Sequence, residues 1–137
     1  MPGCNLSATG VNFDVDAFLN GSTWRNLASV FHKGEPTGIS SRPFKPRSGL
    51  RIDISDEEES LLEPQLQAVM KFLDEHSGEI ERLVAFPGID ELEIKIGLFW
   101  HHDTVCYPLT LPPEFLMVSG KVGIPITLYI YAVSSGS

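Results

Sequence analysis

The stretch Phe99-Trp-His-His-Asp-Thr-Val-Cys106 gathers the side chains that bind transition metals. Imidazole, carboxylate and thiolate are the ligands of zinc, and a zinc site takes three or four of them in a tetrahedral array. Whether they can converge depends on the residues before them. From Glu91 to Trp100 apolar and polar residues alternate, so the stretch continues a strand whose successive side chains point to opposite faces. His101 and Asp103 then share one face, and His102, Thr104 and Cys106 the other. Neither set offers more than two good ligands, and His32 or His76 would have to complete it from elsewhere. The stretch therefore reads as a strand end with solvated imidazoles and no metal. A metal-dependent hydrolase built on His101, Asp103 and a distant histidine is the alternative.

A second group of chemically able residues lies between Lys33 and Gly49, where periodicity is absent and three prolines and three glycines interrupt the chain. A loop of that length is uncommon and usually functional or disordered. His32 opens it, and Lys33, Arg42, Lys45, Arg47 and Arg51 are opposed by Glu35 alone. Arg42-Pro-Phe-Lys-Pro-Arg47 joins cations to stiff prolines and one ring, a surface able to hold a carboxylate or phosphate through bidentate arginine contacts. The competing reading folds this loop onto the acidic start of a following helix. For His32 a place at a helix C-terminus is explanation enough. Asp14 and Asp16 read as solvated carboxylates, and His76 as a hydrogen-bonded histidine on an apolar helix stripe. No phosphate loop, dinucleotide fingerprint, serine elbow or paired cysteine and histidine is present, so no catalytic residue and no cofactor is assigned.

Charge is the third feature. The net charge of −8 is local: residues 51 to 93 hold thirteen acids against three bases, whereas the segments on either side are nearly neutral. Asp56, Glu57, Glu58 and Glu59 are its centre. Such a patch speaks against nucleic acid, which needs a basic footprint, and suits a basic protein partner. Its bland counterpart is a solvated face that keeps the chain soluble. No apolar run approaches the roughly 20 residues of a membrane span. With no leader-like start and two cysteines, Cys4 and Cys106, far apart, the expected setting is the cytoplasm.

The elements that must position these groups follow from periodicity. At 137 residues one domain is expected, with residues 1–10 a disordered tail and 11–137 the folded unit. Val11, Phe13, Val15 and Ala17 alternate as a first strand, and a short helix capped by Ser22 or Thr23 turns Leu27, Val30 and Phe31 inward. Leu50, Ile52 and Ile54 mark a second strand. A capping box at Ser60 to Glu63 starts a helix of about 20 residues, with Leu62, Leu66, Val69, Leu73, Ile80 and Leu83 on one stripe. Glu91–Trp100 is the third strand, a proline-initiated helix closes at Gly123, and Ile126–Val133 is the last strand. This order implies an α+β two-layer sandwich of about four mostly antiparallel strands, with one long and one or two short helices on one face. The last strand offers an edge for a symmetric homodimer.

The phrases V-N-F-D-V-D-A-F-L, F-H-K-G-E-P, S-G-L-R-I-D-I-S, A-V-M-K-F-L-D-E-H and P-P-E-F-L, in this order across residues 11–133, resemble the small bacterial family known as domain of unknown function 4279. The resemblance implies a bacterial, cytoplasmic α+β protein without an assigned activity, some members suggesting a role as immunity proteins. It singles out His32, Gly34 and Pro36. The expected function is a non-enzymatic interaction module presenting Asp56–Glu59 to a basic protein. The alternative is a regulatory or anion-binding domain using His32, Gly34, Arg42, Lys45 and Arg47.

Overall fold

A computed structural model describes residues 3–55, 61–101, 105–106 and 108–133. Its elements are β1 (Gly3–Gly10), α1 (Val15–Leu19), β2 (Ser29–Phe31), β3 (Pro36–Ile39), β4 (Arg42–Phe44), β5 (Ser48–Ser55), α2 (Leu62–Glu75), α3 (Ser77–Ala85), β6 (Glu91–His101), α4 (Pro113–Val122) and β7 (Ile126–Val133). The class is mixed α+β. Five strands form one sheet in the order β2-β5-β1-β6-β7, and β3 and β4 form a separate hairpin. All pairings in the large sheet are antiparallel except β6 with β7, which are parallel because α4 carries the chain back between them.

The pleat sorts this sheet into two faces. Registers Leu6↔Ile52, Leu6↔Ile94, Cys4↔Ile96 and Ile96↔Leu128 place the aliphatic side chains together on one side. There they join Phe18, Trp24, Leu66, Val69, Leu73, Ile80, Leu83 and Phe115 in one buried cluster. The opposite side carries Ser7, Asn5, Arg51, Asp53, Glu93, Lys95, Thr127 and Tyr129, and there Thr127 Oγ1 donates to Glu93 at 2.6 Å.

Several sequence expectations need correction. Residues 3–10 of the expected tail at 1–10 are instead the central strand: β1 lies between β5 and β6, and Cys4, Leu6 and Ala8 are buried. The expected strand from Val11 is instead a turn followed by α1, because the Asp14 carboxylate accepts the Ala17 N–H at 3.0 Å and caps a helix. Residues 22–28 form turns rather than a helix. Ser22 Oγ accepts the Trp24 N–H at 3.0 Å, Trp24 is the buried residue, and Leu27 and Val30 are exposed. The count of about four strands becomes five plus a hairpin, since β1 and β2 were not foreseen and the apparent loop 33–49 contains β3 and β4.

The single long helix is two. α2 ends at His76, whose N–H donates to the Phe72 carbonyl at 3.0 Å, and α3 starts at Ser77. The break coincides with a tertiary contact: Trp24 Nε1 donates to His76 Nδ1 at 3.1 Å, while Trp24 stacks on Phe72 at 5.9 Å. His76 is thus the hydrogen-bonded histidine its position implied. Ser60 lies outside the described residues, and Leu61 occupies the N-cap of α2 without a side-chain bond. β6, β7 and α4 fall where periodicity put them, with α4 closed by the left-handed Gly123 (φ 75°).

Candidate functional site

His32 follows the edge strand β2 and stands beside a surface groove of about 650 Å³ that Asp14, Asp16, Asn20 and Arg25 also line. Its Nε2 lies 2.9 and 3.0 Å from the two Asp16 oxygens, and its Nδ1 lies 3.4 Å from Glu35 Oε1. Its backbone N–H also donates to Glu35. The hydrogen bond to Asp16, helped by the charges of Asp16 and Glu35, raises the imidazole above its ordinary value. The residue therefore links α1 to the start of the hairpin. It does not end a helix.

The other residues of the basic group are dispersed. Gly34 adopts φ 90°, a conformation natural to glycine, and donates its N–H to the Lys45 carbonyl at 2.8 Å. Lys45 sits 5.3 Å from the Phe31 ring centre. Arg47 pairs with Glu91 at 2.9 Å, which ties the segment after the hairpin to the start of β6; the acidic residues 56–59 before α2, on which the sequence reading folded this loop, lie outside the described residues. Arg42 is exposed on β4. His32 is thus the one residue of the group that lines this groove, and two aspartates stand beside it.

Asp56, Glu57, Glu58 and Glu59, between β5 and α2, lie outside the described residues. So do Asp103 and the side chain of His101, whose backbone ends β6. Among the described residues no three histidine, cysteine, aspartate or glutamate side chains converge on a point that could hold a metal ion. Cys4 is buried, and desolvation pushes its thiol up to about 12 against the opposing hydrogen bond from Ser55, so it is no nucleophile. Among the described residues no helix is long and apolar enough to cross a membrane.

A different cavity lies among the helices. α2, α3 and α4 enclose an open trough of about 540 Å³. Its floor and walls are Met70, Leu73, Ile80, Val84, Val118 and Val122, and its rim carries Asp74, Glu81 and Lys121. Val84 is 46 % exposed, and Leu116 and Met117 on α4 are exposed as well. α4 is apolar on its inward side through Phe115 and on its outward side through Leu116 and Met117, a pattern expected of a helix that is covered on both sides. Sequence reasoning found Leu73, Ile80 and the helix of Val118 separately but not the trough, which needs the break at His76 and the approach of α4 to α2. Comparison of the chain with protein-family models, with curated proteins and with solved structures finds no match.

Proposed function

We propose that the protein is a non-enzymatic interaction module that receives a basic amphipathic helix of a partner protein between α2, α3 and α4. The observation that carries this reading is the trough itself, an apolar-lined cavity of about 540 Å³ whose rim carries two carboxylates, Asp74 and Glu81, against one cation, Lys121. Helix-in-groove recognition uses apolar anchors at three- and four-residue spacings, and acidic rims favour lysine and arginine on the flanks. Asp56–Glu59, next to α2 in sequence, add four carboxylates that would speed encounter with a cationic partner through long-range attraction. Within this proposal the chain is a member of the bacterial family it resembles, a two-layer α+β protein acting in the cytoplasm as an immunity-like module.

The test is isothermal titration with a synthetic leucine–lysine amphipathic helix and with its leucine–glutamate counterpart. The lysine peptide should bind and the glutamate peptide should not. Val84→Glu separates groove binding from mere charge attraction: the added carboxylate would strengthen a purely electrostatic contact, whereas blocking the trough weakens binding at least tenfold. Unchanged or tighter binding to Val84→Glu refutes the reading, as does equal binding of the two peptides.

A further inference from the structure

The large sheet has two edges of opposite character. On one side β2 is only three residues long and leads into the hairpin, a short edge of the kind that resists pairing with another chain. On the other side β7 runs for eight residues, Ile126-Thr-Leu-Tyr-Ile-Tyr-Ala-Val133, without a charge, proline or glycine. Its register with β6 is continuous from Ile94↔Ile126 to His101↔Val133, with no bulge to twist the edge away. Among the described residues no strand lies beyond it.

The outward-facing groups of β7 can be assigned. Ile94 donates its N–H to the Pro125 carbonyl at 2.9 Å, and in an evenly spaced parallel ladder the odd-numbered residues of β7 then bond β6. Leu128, Ile130 and Ala132 therefore hold their N–H and C=O groups outward. These same residues place their side chains on the helix-covered face, yet cover fails along the strand. Leu128 packs against the core, whereas Ile130 is 47 % exposed and Ala132 is exposed. On the other face Tyr131 is 39 % exposed.

We propose that β7 pairs antiparallel with β7 of a second copy of this chain about a twofold axis at Ile130, joining two sheets into one of ten strands. The occupant is a second copy because the edge is self-complementary. It has no charge by which a different chain would be selected, and only a register that sets even residues opposite even residues keeps the core faces of both copies on the same side. Centring the axis on Ile130 puts that residue opposite itself, Leu128 opposite Ala132 and Tyr129 opposite Tyr131 twice. The uncovered end of the strand then meets its own copy, and the outward groups form roughly six backbone hydrogen bonds. This inference is independent of the helix-binding trough, which lies among the helices.

The experiment is multi-angle light scattering and sedimentation velocity on the untagged full chain across a concentration series. The wild type should behave as a particle of about twice the 15.1 kDa chain mass. Ile130→Lys, which sets two ammonium groups opposite each other, should give the single-chain mass with an unchanged circular dichroism spectrum. Ala132→Pro removes one outward N–H and should weaken association at least tenfold without touching the ladder to β6. Ile130→Val, a smaller apolar residue, should remain dimeric. A wild type that is monomeric at all concentrations overturns the proposal, whether or not it binds extended peptides. So does a dimer that persists in folded Ile130→Lys or Ala132→Pro. A dimer that dissociates only in Val84→Glu would place the second copy on the helices and overturn it equally.

Discussion

Gln65 is a sensitive probe of how dry the core is beneath β6. It lies near the start of α2 with no exposed surface; its Nε2 donates to the Gly97 carbonyl at 2.8 Å, and its Oε1 has no partner among the described residues. Gln65→Glu keeps the shape of the side chain and makes it ionisable. As a neutral acid its O–H can replace the amide donor to Gly97, so little stability is lost at low pH. As a carboxylate it faces the carbonyls of Gly97 and Leu61, with no described cation bonded there. Burial of this kind raises a carboxyl from about 4.3 by roughly three units, and each unit corresponds to about 1.4 kcal/mol. A group raised in the folded state stabilises fully below its unfolded value and loses that contribution as pH climbs to the folded value. The variant should therefore be about 1.5 kcal/mol less stable than wild type near pH 5.5 and about 4 kcal/mol less stable near pH 8.5. Urea unfolding of both proteins at the two pH values measures this, with Gln65→Met as a control whose deficit does not change with pH. An equal deficit at both pH values for Gln65→Glu would show that water reaches the site and would refute the argument.

Three further outcomes are expected. His76→Leu strands the buried Trp24 Nε1 donor and should cost about 1–3 kcal/mol in chemical denaturation, with a deficit under about 0.5 kcal/mol counting against the hydrogen bond as a stabilising contact. Gly10→Ala would set a Cβ 1.9 Å from the Gly88 carbonyl oxygen, forcing apart β1 and the turn before β6 and loosening the Asp90 N–H bond to the Thr9 carbonyl; a loss of about 1–3 kcal/mol is expected, and wild-type stability would disprove the close approach. The link from His32 to Asp16 stabilises the fold below about pH 6.5 and fades as pH rises through the elevated folded value; both side chains are well exposed (44 % and 72 %), so its worth is only about 0.5 kcal/mol. Asp16→Asn should lower the His32 midpoint in an NMR titration, and an unmoved midpoint would remove Asp16 as the cause.

What could be read from the chain follows from how far each signal travels. β6, β7 and α4 were legible because Leu92 to Trp100, the Ile126–Val133 alternation and the Pro113 to Gly123 frame are local patterns expressed without interference. β1 is not legible because its inward set, Cys4, Leu6 and Ala8, holds one large aliphatic residue among glycines and polar neighbours, while the stronger alternation after it belongs to a turn and to a helix that Asp14 caps. The hairpin carried no periodicity because β3 and β4 bury neither face. The break at His76 has no proline to announce it; it coincides with Trp24, 52 residues earlier. Of the basic group, His32 was recognised as distinctive, but its partners Asp16 and Glu35 were not, since only folding brings α1 to β2. The helix trough draws its walls from Met70 to Val122 and has no signature in any one segment.

The central place of β1 bears on how the protein is made. The strand with the first described residues is flanked by residues 48–55 on one side and 91–97 on the other. At roughly 5–20 residues per second, β1 leaves the ribosome several seconds before β6 exists to close its second side. Until then Leu6 and Ala8 wait on an open edge, and the polar residues and flanking glycines that hide the strand from pattern reading also make it a poor nucleus for pairing with other nascent chains. The second side of β1 therefore closes only after residues 91–97 have emerged, well after residues 48–55 are available to its first side.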